Sequence, residues 1–194
     1  MLAILLLAGL KPVEAACWRG RPGSACKNFW LTEFGIGWRL DRVSDQVRAD
    51  EVFPYYAAYD AGPMFNVGEQ LALGGTLSLK TLGEGYVGVH GRLRWWLDDD
   101  WALDFSPGIF VWGGSNDESY ELEFPALSAR VMLTYGDWVG ISAGLDQVRV
   151  EGSGSDVDLY GGVYLGSYPG AAVGLLFALV AVLYASNVGI TGNH

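Results

Sequence analysis

A chain of 194 residues that is 51% hydrophobic and 18% charged, with positive mean hydropathy, is too apolar for a disordered protein and long enough for one domain with a full core. A net charge of −10 with no basic stripe argues against a nucleic-acid partner. Lysine occurs only at Lys11, Lys27 and Lys80, whereas a water-facing surface of this size usually carries more.

The chain opens MLAILLLAGLKPVEAAC. Leu2 to Leu10 form an apolar run of signal-peptide length, too short to span a bilayer, and Val13 and Ala15 suit a small-residue cleavage site. Residues 1–16 are therefore expected to be an export signal. The basic start of such a leader is missing, and Lys11 falls after the apolar run. Residues 17–27 read as a short N-terminal segment in which Cys17 and Cys26 flank the turn formers of CWRGRPGSAC. Export implies oxidising conditions, so a Cys17–Cys26 disulfide is expected. The rival is a lipidated Cys17, for which Glu14 stands where an aliphatic residue belongs. Two thiolates without a neighbouring His make a poor metal site, and no metal or cofactor is expected.

From residue 28 onward, strict alternation of apolar and polar residues recurs eight times with turn signals between, a pattern for strands. The spacing predicts strands near 29–41, 53–66, 70–81, 86–97, 101–110, 124–135, 138–150 and 156–168. In the first, Trp30, Phe34, Ile36, Trp38 and Leu40 share one face, and Glu33, Gly35, Gly37 and Arg39 the other. The connections alternate as well. VGEQ, DDD and GD are tight; RVSDQVRADE, GGSNDESYELE and EGSGSD are long and polar; LGEG is a short exception. An up-and-down barrel with one smooth and one loopy rim produces this pattern, so the expected fold is all-β: an eight-stranded antiparallel barrel over 28–168.

Which face points outward decides the class of protein. The apolar faces are aliphatic in the middle and aromatic near the strand ends, at Trp30, Trp38, Tyr55, Phe65, Trp95, Trp101 and Tyr135, as membrane interfaces favour. The polar faces are rich in glycine, which a narrow lumen requires and a water-facing exterior does not. Their charges nearly balance: Glu33, Asp60, Asp104, Asp146 and Asp158 against Arg39, Lys80, Arg92, Arg94 and Arg130. If 97 pairs with 101 across the Asp98-Asp99-Asp100 turn, Arg94 lies opposite Asp104 and Arg92 opposite Ser106, a favourable cross-strand register. These ten residues are the expected lumen ion-pair network. The alternative is a periplasmic, lipocalin-like barrel with the apolar face inward around an apolar ligand.

The alternating strands, the export signal and the aromatic-edged faces resemble the small outer-membrane β-barrels of the OmpA, OmpX and OmpW kind, over about residues 28–168. The resemblance is architectural, with no short diagnostic motif. It implies the outer membrane of a diderm bacterium, contact with membrane lipid, and termini and tight turns in the periplasm. A protein partner would then meet the long loops at 42–52 and 113–123. Such barrels end on the last strand with an aromatic residue, whereas this chain continues as PGAAVGLLFALVAVLYASNVGITGNH. Residues 169–194 read as an apolar helical segment with Pro169 at its start. The stretch from Gly170 to Ile190 could pack on the barrel, plug it or anchor it in the inner membrane.

His90 lies on the polar face of the fourth strand, near Asp104 and Ser106 on the next. A lipid-hydrolysing barrel would want such residue types together, but His90 is followed by Gly91 and Arg92 rather than by the His-x-Ser spacing of that enzyme family. The expectation is a packed lumen histidine and no catalytic residues. Tyr160, Tyr164 and Tyr168, at strand spacing, are expected to pack in the lumen. The expected role is non-enzymatic: envelope integrity, adhesion or a scaffold.

Overall fold

The computed structural model describes Cys17, Gly20 and residues 27–40, 55–81, 85–114, 122–150, 154–177 and 179. Eight strands close into one antiparallel barrel in chain order: β1 (Asn28–Arg39), β2 (Tyr55–Asn66), β3 (Leu71–Thr81), β4 (Gly85–Trp96), β5 (Trp101–Gly114), β6 (Leu122–Tyr135), β7 (Val139–Val150) and β8 (Gly154–Gly166), which returns to pair with β1. All eight expected strands are present, with ends shifted by a few residues. The expected signal peptide at 1–16 lies outside the described residues. So do Cys26 of the expected disulfide, loop 42–52, residues 115–121 of loop 113–123, and residues 180–194 of the apolar tail.

Turn chemistry sets the registers at the tight rim. Asp98 folds its carboxylate back to accept the backbone N–H groups of Asp100 and Trp101 at 2.8 and 2.7 Å. That closes the turn as an Asx motif and leaves Leu97 bonded to Trp101. Arg94 then faces Asp104 and His90 faces Gly108, as the turn predicts. Between β6 and β7, Gly136 and Asp137 both take positive φ, 58° and 59°, the backbone of the two-residue turn that matches strand twist.

Alternation divides each strand between two environments. In β4, Tyr86, Gly88, His90, Arg92, Arg94 and Trp96 are buried, while Val89, Leu93 and Trp95 are exposed. Buried apolar side chains cluster towards both ends of the lumen. Phe29, Leu31, Met64, Ala72, Trp96 and Ala102 form an apolar floor near the tight turns. Tyr86, Phe110 and Ala126, with Phe124 against them, form a second cluster towards the other end. Glycines make room for the large side chains between. A Cβ at Gly35 would overlap the Tyr164 ring, and one at Gly108 would overlap the His90 ring.

The closure between β1 and β8 is short, because β8 stops at Gly166 opposite Glu33. The lower part of β1 is covered instead by the chain ends. Cys17 bridges to Phe29 and accepts the Trp30 N–H at 3.0 Å. After β8 the chain turns at Ser167 (φ 50°) into a helix, α1 (167–177, with Leu179 also helical). Tyr168 is thus on the helix and exposed, not in the lumen with Tyr160 and Tyr164. The expected eighth strand ran two residues too far because its alternation continues into the helix start.

Candidate functional site: the charged lumen

The polar faces of the strands converge on the barrel axis. Lining it are Glu33, Asp60, Asp104, Asp137, Asp146 and Asp158 against Arg39, Lys80, Arg92, Arg94 and Arg130, six carboxylates and five cations among the described residues. All ten residues of the expected network point inward. Taking such charges out of water is tolerable only when each finds partners.

Just above the apolar floor lies the densest group. Arg94 makes a fork onto Asp104, with Nε and Nη2 each 2.9 Å from a carboxylate oxygen. Its Nη1 donates to Asp137 at 2.6 Å, and its guanidinium lies over the Trp96 ring. Arg92 reaches across the barrel to Glu33, donating from Nη2 to both carboxylate oxygens at 2.9 and 2.8 Å. The planar five-donor guanidinium suits this shared arrangement, where a lysine would supply one point charge.

Higher up, Arg130 donates to Asp60 at 2.7 Å and to the Tyr164 hydroxyl at 2.7 Å. His90 Nδ1 stands 3.9 Å from Asp60 Oδ1, and its ring meets Phe110 edge-on. The Ser106 hydroxyl and His90 Nδ1 both lack hydrogen-bond partners among the described residues. Towards the loop rim, Lys80 pairs with Asp146 and lies over the Tyr160 ring, 3.6 Å from its centre. Arg39 pairs with Asp158. These two cations explain a register that would otherwise be unfavourable: Asp146 and Asp158 are direct cross-strand neighbours on β7 and β8.

Sequence reasoning missed Asp137 and Ser167. Asp137 accepts from Arg94 through Oδ1, and through Oδ2 from the backbone N–H of Gly20 (3.0 Å) and the Ser167 hydroxyl (2.9 Å). Ser167 in turn accepts from the Thr32 hydroxyl at 2.8 Å. One turn carboxylate therefore ties the N-terminal segment and the start of α1 to the lumen. Nothing in the local pattern marked it, since a Gly-Asp turn is also what any hairpin would use. Asp137→Asn keeps the left-handed turn accessible while removing the charge. The Gly20 amide should then exchange with solvent faster, with strand amides unchanged, in hydrogen-exchange NMR.

A cavity among the described lumen residues is small: about 20 Å³, among Tyr56, Lys80, His90, Arg130, Asp146 and Tyr160. That is room for about one water, far below the several hundred Å³ of a ligand pocket. The lipocalin-like alternative placed the apolar face inward around a ligand; the structure places it outward and fills the inside with charge.

No family model matches the chain, and no curated protein matches it. Two solved structures resemble it. One, from a study of de novo designed transmembrane β-barrels, has a TM-score of 0.36 at 10% identity, over 76% of this chain and 98% of that one. The other is the Yersinia pestis outer membrane protein Ail in a phospholipid bilayer nanodisc, with a TM-score of 0.40 at 11% identity, over 70% of this chain and 98% of that one. This chain is a closed eight-stranded antiparallel barrel.

Proposed function

We propose that the protein is a non-conducting barrel of a diderm outer membrane, with a structural or interaction role and no catalytic chemistry. The observation that carries this reading is the inversion of its surface. Leu77, Leu127 and Ile141 are 54%, 54% and 61% exposed, while Arg94, Asp60 and Asp104 are 0% exposed. In water, so continuous an apolar exterior would drive aggregation, and the buried charges would bring no compensating advantage. In lipid the same arrangement is the stable one.

The belt also has edges. Near the tight turns stand Trp30, Phe65, Trp95, Trp101, Tyr135 and Trp138; near the loop rim stand Trp38, Tyr55 and Trp112. Trp101 and Tyr135 face each other in register with ring centres 5.0 Å apart. Mostly aliphatic side chains fill the band between, with amphipathic rings at two levels as headgroup interfaces favour.

The filled lumen supports a role outside transport. Arg94 with its three carboxylates and the apolar floor beneath it bar the axis. Reconstituted into planar bilayers, the purified chain should show no unitary conductance above the lipid baseline. Stable single-channel steps would overturn the non-conducting reading. His90, packed between Gly108 and Phe110, is assigned a packing role. The Cys17–Cys26 disulfide expected from the sequence belongs to the same reading. Cysteine alkylation before reduction should add no mass, and alkylation of either cysteine would overturn the disulfide.

A further inference from the structure

The helix after β8 does not enter the lumen. It lies on the outside of the barrel, and it is seated there by glycine. A Cβ at Gly170 would collide with the backbone carbonyls of Leu165 and Thr32, and one at Gly174 with the Tyr59 ring. Phe177, one turn on, meets Phe34 with ring centres 5.8 Å apart. Positions 170, 174 and 177 form one helical face, and that face is the one in contact. Thr32, Phe34 and Tyr59 belong to the outward face of β1 and β2. Phe34 and Tyr59 are paired in register, between Trp30 below and Trp38 and Tyr55 above. The seat of the helix is therefore inside the apolar belt.

The opposite face of α1 carries Leu175, Leu176 and Leu179, exposed at 71%, 62% and 54%. Residues 167–190 contain no Asp, Glu, Lys or Arg. No helix among the described residues is long and apolar enough to cross a membrane by itself. Close approach through glycine is how helices gain packing where lipid offers no hydrophobic drive to associate.

We infer that α1 is a lipid-immersed buttress, docked through Gly170 and Gly174 onto β1 and β2, with its leucine face against acyl chains. It is neither a lumen plug nor an anchor reaching into a second membrane. This rests on the membrane reading, because a helix seated within the belt shares whatever medium bathes the belt. Its position also suits the short β1–β8 closure. The first turn covers Thr32, below the last β8 partner of β1, so the helix protects the part of the seam that strand pairing leaves open.

Photo-crosslinking tests this. A benzophenone amino acid is placed singly at Leu176, at Phe177 and at Val131, an exposed belt residue of β6, in the full chain reconstituted in phosphatidylcholine vesicles. After irradiation, the probes at 176 and 131 should each add the mass of one phospholipid. The probe at 177 should instead cross-link within the chain, to a peptide of β1 or β2. Gly170→Leu should shift the probe at 177 from protein to lipid adducts. A lipid adduct at 131 with none at 176 overturns the buttress and leaves the membrane reading intact. No lipid adduct at 131 overturns both. Lipid adducts at 177 in the unaltered chain overturn the docking.

Discussion

Arg94→Ala should destabilise the barrel by about 3–5 kcal/mol, the cost of breaking a fully buried charge group by removing one partner. The guanidinium has no exposed surface, and it is shared by Asp104, Asp137 and Glu33 at 2.9, 2.6 and 3.5 Å. Truncation leaves Asp104 without its fork and Asp137 without the guanidinium that Arg94 supplies, with Arg92 3.8 Å from Asp104. Urea unfolding in lipid vesicles, followed by tryptophan fluorescence, should show a clearly lower midpoint. Arg94→Lys should recover part of the loss, because one ammonium cannot serve two carboxylates in a plane. The exchange Arg94→Asp with Asp104→Arg should also recover only part, since the new carboxylate sits beside Glu33 and Asp137. An unchanged midpoint for Arg94→Ala would contradict a lumen held by this group.

Leu77→Arg should cost about 2–4 kcal/mol in a bilayer, the cost of a basic side chain near the midplane of a barrel's lipid face. Leu77 sits midway along β3, outward, paired with Ala61 on one side and Val89 on the other. On a water-facing surface the same change would stay within about 0.5 kcal/mol. The experiment therefore separates the two media by the size of one number. Trp101→Arg, at the rim of the belt, should cost about 0–1 kcal/mol from charge insertion, beyond its lost ring contact with Tyr135. A neutral Leu77→Arg in vesicles would count against lipid on that face.

The strands were legible because a two-residue period is a local property, and each of the eight carries it without help from the others. The β4–β5 register was legible for a related reason: Asp98 fixes the turn, and Arg94 and Asp104 are ten residues apart. The pairs across the lumen were not. Arg92 with Glu33, Arg130 with Asp60 and Lys80 with Asp146 join residues 59 to 70 positions apart. Alternation says only that each faces inward; which charges meet depends on barrel radius and stagger. Sign balance pointed to a paired interior without naming partners. Asp137 escaped notice because a turn residue carries no face. The end of β8 was misjudged because Tyr164, Gly166 and Tyr168 keep strand spacing, while the turn at Ser167 depends on tertiary bonds to Asp137 and Thr32. The seat of α1 was equally hidden, since Gly170 and Gly174 acquire meaning only once Tyr59 lies opposite them.

The most direct test of the central claim, that the apolar belt meets lipid, is fractionation of a diderm bacterium expressing the full chain, with each fraction run unboiled and boiled on one gel. The account predicts that the protein stays with the outer membrane after a urea wash and migrates at a different mobility unboiled than boiled, as a closed barrel does. A protein released without detergent, at one mobility under both conditions, would contradict it.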